Sequence, residues 1–139
     1  MLTEQNKVIT RRYFEELWNQ NNLSMIDEII APEVVGHVAG QTFHSADTFR
    51  QRAKSLREVY SNVRFTAEDQ IGEGDKVLMR WTFRGTHTGE YMGAKPTGKE
   101  VVATGMNLFR LVDDKIEELW VESDDLGELQ QLGVVTLPK

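Results

Sequence analysis

The stretch "VLMRWTFRGTH", Val77 to His87, puts Val77, Met79, Trp81 and Phe83 on one face and carries that parity on to His87. A period of two is the mark of a strand with one buried face. Upstream, Val63, Phe65 and Ala67 alternate with Arg64, Thr66 and Glu68, and "GEGDK", Gly72 to Lys76, turns one strand into the other. Downstream, Val101 to Val112 reads as a third strand, and "DDK", Asp113 to Lys115, makes a tight hairpin into a fourth, Ile116 to Ser123. The four strands are expected to be antiparallel neighbours.

Before this meander the period is helical. Val8, Ile9, Tyr13, Phe14, Leu17 and Trp18 form a buried stripe on a helix over Glu4 to Asn19. Ser24 is placed to cap a short second helix that stops before Pro32, and Ser45 a third that aligns Phe49, Ala53, Leu56 and Tyr60 and ends at Ser61 and Asn62. Helices first and strands afterwards imply an α+β fold with the helices packed on one face of a curved antiparallel sheet. A length of 139 residues suits a single domain, 1–139, with one pocket.

Composition narrows the function. A formal charge of -6, with the basic residues scattered among acids, makes nucleic acid an unsuitable partner. No apolar run approaches the roughly 20 residues that span a bilayer, and "MLTEQNKVITRR" has no apolar core of a signal peptide. The absence of cysteine removes disulfides, thiolate nucleophiles and sulfur-ligated metals and suits the cytoplasm.

Strict alternation in the last strand sets Ile116, Glu118, Trp120, Glu122 and Asp124 on one face. If Trp120 faces the interior, Asp124 reaches a cavity from the strand end, where desolvation would suit a general base. The same residue, followed by Asp125 and by Leu126 to Leu132 at helical spacing, also reads as an N-cap, which the pattern alone favours. His37, His44 and His87 lack the spacing of a metal pair, so no metal site is expected. His37 and His87 are candidate cavity residues or satisfied structural histidines. Asn107, on one face with Gly105 and Phe109, either orients a carbonyl or pairs with backbone. Arg80, Arg84 and Arg110 are surface charges or carboxylate partners. There is no nucleophile elbow and no phosphate loop, and the glycine-rich connection Arg84 to Val101 reads as irregular.

That connection and its surroundings, "FRGTHTGEYMGAKPTGKEVVATGMNLFRLVDDKIEELWVESDDLGELQQLG", resemble the SnoaL-like polyketide cyclase family closely, and "YFEELWNQNNLSMIDEIIAPEVVGH" resembles it more loosely. The resemblance implies a cone of the nuclear-transport-factor (cystatin-like) type: a curved antiparallel sheet wrapped by N-terminal helices around an apolar cavity. It makes the Arg84 to Val101 connection the cavity rim, with Tyr91, Met92 and Pro96 as wall or lid. It implies Asp124 as general base and acid for proton abstraction and intramolecular aldol closure of a small hydrophobic carbonyl compound, without cofactor. Substrate contacts are then expected from His37, His87, Asn107, Trp120, Trp81, Tyr91, Met92, Phe14 and Trp18, and a homodimer is expected. Glu122 adds a second carboxylate beside Asp124. The same fold also hosts hydrolases in which an acid activates water against an epoxide or ester, and proteins that only bind a hydrophobic small molecule.

Overall fold

The computed structural model describes residues 2–138. The first helix, α1, spans Leu2–Arg12 and continues as a π-helical stretch, Tyr13–Asn19, where the sequence pattern reads as one α-helix. Bonding from i to i+5 sets residues five apart on one side, and Trp18 accordingly lies beside Tyr13 with ring centroids 6.1 Å apart. Val8, expected on the buried stripe, is 51% exposed; Asn6, Ile9 and Thr10 are buried in its place.

A short helix α2, Met25–Ile29, precedes strand β1, Ile30–Val38, which runs through Pro32. Ser24 does not cap α2; its hydroxyl donates to Asn22 Oδ1 at 2.6 Å. Ala39 and Gly40, both at positive φ, turn β1 into the short β2, Gln41–Phe43. Helix α3, Asp47–Val59, follows, and Ser45 Oγ accepts from the Asp47 backbone N–H at 3.2 Å. Phe49 and Ala53 are its buried residues, whereas Tyr60 has already left the helix to begin β3.

Strands β3 (Tyr60–Glu73), β4 (Lys76–His87), β5 (Glu100–Val112) and β6 (Lys115–Ser123) form the expected antiparallel meander. Helix α4, Asp125–Gln131, follows β6. One open sheet has the order β2-β1-β6-β5-β4-β3, in which β1 joins β6 in parallel. The interior is filled largely by rings. Tyr13 touches Phe14 and Phe109 with centroids 5.0 Å away in each case, and Phe65 meets Trp81 at 5.3 Å and Phe83 at 5.1 Å. Phe109 is fully buried among them, so truncating it to alanine would cost roughly 3–5 kcal/mol.

The expected face of Trp120 is corrected by a bulge. Leu111 pairs with Ile116 but Arg110 with Glu118, which leaves Glu117 as an extra residue in β6. One inserted residue reverses the parity beyond it. Ile116 and Leu119 are therefore both buried, and Trp120 turns to the outer face together with Glu122 and Asp124.

Candidate functional site

Three features meet where β3 starts, β4 ends, β5 starts and β6 ends. The first is His87, paired with Tyr60 across the ladder and fully buried. Its Nδ1 receives the Thr97 backbone N–H at 3.2 Å and lies 3.1 Å from the Thr97 hydroxyl, whose oxygen accepts from Lys99 N–H. Two donors on Nδ1 put the ring proton on Nε2. That Nε2–H has no partner among the described residues. The imidazole thus keeps a free donor inside the protein, 6.3 Å between centroids from the Tyr60 ring.

The second feature is α4. The Asp124 N–H donates to the Thr104 carbonyl at 2.9 Å, and Asp124 Oδ1 accepts from the Gly127 N–H at 2.9 Å, so the carboxylate caps the helix. One turn on, the Gln131 amide makes a reciprocal pair with the Val102 backbone, donating at 2.8 Å and accepting at 2.9 Å. These bonds lay α4 along the start of β5. Leu132 is buried, and Glu128, four residues before it, faces the same way. Tyr60 donates its hydroxyl proton to Glu128 Oε2 at 2.6 Å. Burial, helped by Asp125, pushes the Glu128 carboxyl above the ordinary range, while the Tyr60 hydrogen bond opposes the shift. Burial first, and then the bond and charge of Glu128, push the Tyr60 phenol up.

The third feature is the connection between β4 and β5. Thr88 and Gly89 both donate to the Val59 carbonyl, at 3.0 and 2.9 Å, and Tyr91 and Ala94 close a small turn through Met92 and Gly93, both at positive φ. Tyr91 is half-buried, and its phenol is raised by burial and by Glu128 and Asp125, against Arg52. Met92 is 63% exposed.

Deeper inside, Trp81 Nε1 donates to Asn107 Oδ1 at 2.9 Å, with both residues buried. Burial pushes the neighbouring Tyr13 phenol up to about 12. Phe14 and Trp18 are buried against Phe65. The sequence-based candidates therefore divide: His87, Asn107, Trp81, Phe14 and Trp18 lie inside, Tyr91 and Met92 on the connection. His37, Trp120 and Asp124 lie on the outer face, where an open groove of about 560 Å³ runs along Leu78, Met106, Leu108, Trp120 and Asp124. Arg80, Arg84 and Arg110 pair with Asp69, Glu100 and Glu118 at 2.8, 3.1 and 3.3 Å. Among the described residues no cluster of three or more His, Asp or Glu suits a metal ion, and no helix is long and apolar enough to cross a membrane.

Tyr60 and Glu128 were not among the candidates read from the sequence. The signal for Glu128 was its i+4 relation to Leu132 on a helix whose apolar side has to face the sheet; Tyr60 was read as a helix residue.

A curved, open sheet with helices over one face and a polar cluster at one end defines the α+β cone class. Residues 8–132 match the model of the SnoaL-like polyketide cyclases, and the chain belongs to that family. The structure of AclR from Streptomyces galilaeus, a proposed hydroxylase, is similar over 96% of this chain and 99% of that one, with 26% identity and a TM-score of 0.86. IdmH from Streptomyces antibioticus, a proposed polyketide cyclase, is 30% identical over 94% of this chain and 99% of its own, with a TM-score of 0.83. Among curated proteins, no match to the chain is found.

Proposed function

We propose that the chain is a cofactor-independent acid–base catalyst acting on a small hydrophobic carbonyl compound, with Asp124 as general base and acid. The base takes a proton from carbon beside the carbonyl, the resulting carbanion attacks a second carbonyl carbon of the same molecule, and the alkoxide takes a proton back. Electrons and atoms balance as an isomerisation, so no redox partner is consumed. A related isomerisation stops at proton return to carbon. Family membership supports this reading and brings Asp124 to its role by resemblance, its side chain being the outer-face cap of α4; the observation that carries the enolate-binding part is the unpaired Nε2–H of buried His87. A fixed donor shielded from water is what a developing enolate oxygen needs.

Incubation with 1-tetralone in heavy water is the test: solvent deuterium appears at the carbon beside the carbonyl, and Asp124→Asn stops it. Unchanged exchange in the variant removes Asp124 from this role. A hydrolase would instead put labelled solvent oxygen into its product. A second copy of the chain is proposed to pair through the exposed face of the sheet, where Met106 is 46% exposed. Light scattering that reports a monomer at all concentrations would remove that part.

A further inference from the structure

We infer that the start of β5 is a strand-pairing surface for a second copy of the chain, held closed by the side-chain amide of Gln131. β5 outruns its neighbour: its ladder with β6 ends at Gly105 and Ser123, whereas β5 itself begins at Glu100. Antiparallel bonds to one neighbour come from alternate residues. The Asp124 N–H takes the Thr104 carbonyl at 2.9 Å, and the chain then leaves the sheet as α4. The next outward residue of β5 is Val102. Gln131 fills that rung from the end of α4, accepting the Val102 N–H at 2.9 Å and donating to the Val102 carbonyl at 2.8 Å. One amide group thus supplies the donor and the acceptor that a neighbouring strand would supply.

The same device closes the far edge of the sheet. β3 is an outer strand, and Asn19 accepts the Phe65 N–H at 2.6 Å and donates to the Phe65 carbonyl at 2.9 Å. The two guards differ in how they are moored. Asn19 ends the π-helical stretch, which Tyr13, Phe14, Leu17 and Trp18 fix in the core. Gln131 is exposed on a helix with no buried residue, and α4 is fastened by its Asp124 cap, the Tyr60 bond to Glu128 and Leu132 beyond its end. An opened strand edge recruits a further strand. A second copy suits this one, because antiparallel pairing about a two-fold axis at Val102 sets Glu100 against Thr104 and Val101 against Ala103, with no like charges opposed. Parallel pairing in register would bring the two Glu100 side chains together.

Two readouts on one set of variants test it. Gln131→Met keeps the length of the side chain and removes both bonds, and Tyr60→Phe combined with it releases Glu128 as well. In this double variant, hydrogen exchange at the Val102 amide is expected to rise about tenfold or more. Light scattering is expected to show the molar mass climbing with concentration toward about twice that of the parent at the same concentration. Adding Val102→Pro removes the outward N–H and leaves the β4 ladder intact, so the mass is expected to return to the parent's. Faster Val102 exchange with an unchanged mass overturns the inference, since the edge is then open and recruits nothing. Unchanged exchange overturns the closure by Gln131, and a mass gain that survives Val102→Pro puts the contact elsewhere. If the double variant unfolds, Gln131→Met alone carries the same two readouts. Pairing through the sheet face is read separately, from the parent.

Discussion

The imidazole of His37 lies flat on the indole of Trp120, with centroids 5.4 Å apart and planes 14° from parallel, while its Nε2 stands 2.8 Å from Glu118 Oε2. This places His37 on the outer face of the sheet, away from His87. The His37 hydrogen bond, with Arg110 beside it, holds the Glu118 carboxyl below its ordinary range against an opposing burial effect.

A folded-state pKa below the unfolded value gives stability that is present above the ordinary carboxylate range and is lost as pH falls through the folded pKa. His37→Phe keeps the ring stack and removes the bond. The Glu118 titration, followed by carboxyl-carbon NMR, is expected to move up in pH, and the fall of Tm on acidification to become shallower. An unmoved titration would show that Arg110 alone holds the carboxylate.

Asp124 is both helix cap and proposed base, and substitution separates the two. Asn caps as well as Asp, while Ala costs about 1 kcal/mol. Urea denaturation is expected to show Asp124→Asn near the parent and Asp124→Ala less stable by that amount, with proton exchange lost in both. Equal stability of all three would remove the cap.

Gly89 anchors the connection between β4 and β5. A Cβ at this position would fall on the Glu58 carbonyl oxygen, which is backbone and does not swing aside. Gly89→Ala is expected to destabilise by about 1–3 kcal/mol and to raise hydrogen exchange at Thr88. A fully stable variant would show that the connection is loosely seated.

Asn107 satisfies the Trp81 indole N–H in the interior. Asn107→Leu strands that buried donor, at a cost of about 1–3 kcal/mol. Thermal denaturation and the Trp81 indole proton signal in NMR report the change together. A variant as stable as the parent would show that Trp81 finds another acceptor.

The three N-terminal helices, the β3–β6 meander and α4 were legible because each depends on local pattern, whereas β1 and β2, which come between α2 and α3, were not among the expected strands. The "DDK" hairpin is a case: Asp113 and Asp114 take φ of 49° and 65° and connect paired Val112 and Lys115, the two-residue turn such strands favour. The parity of β4 was legible as far as His87 for the same reason. The face of Trp120 was not, since Glu117 adds one residue that no local pattern marks and everything beyond it turns over. Nor was the parallel pairing of β1 with β6, which joins residues some eighty positions apart. At the site, the free nitrogen of His87 and the partnership of Tyr60 with Glu128 exist only once the Thr97 turn and α4 have folded back over the sheet.

The most direct test of the acid–base account is the rate at which 1-tetralone takes up deuterium beside its carbonyl with the parent chain and with Asp124→Asn at matched Tm. The account predicts uptake well above the protein-free rate for the parent and a fall of about 10²-fold or more for the variant. Equal rates for the two proteins, or no uptake above background by either, would contradict it.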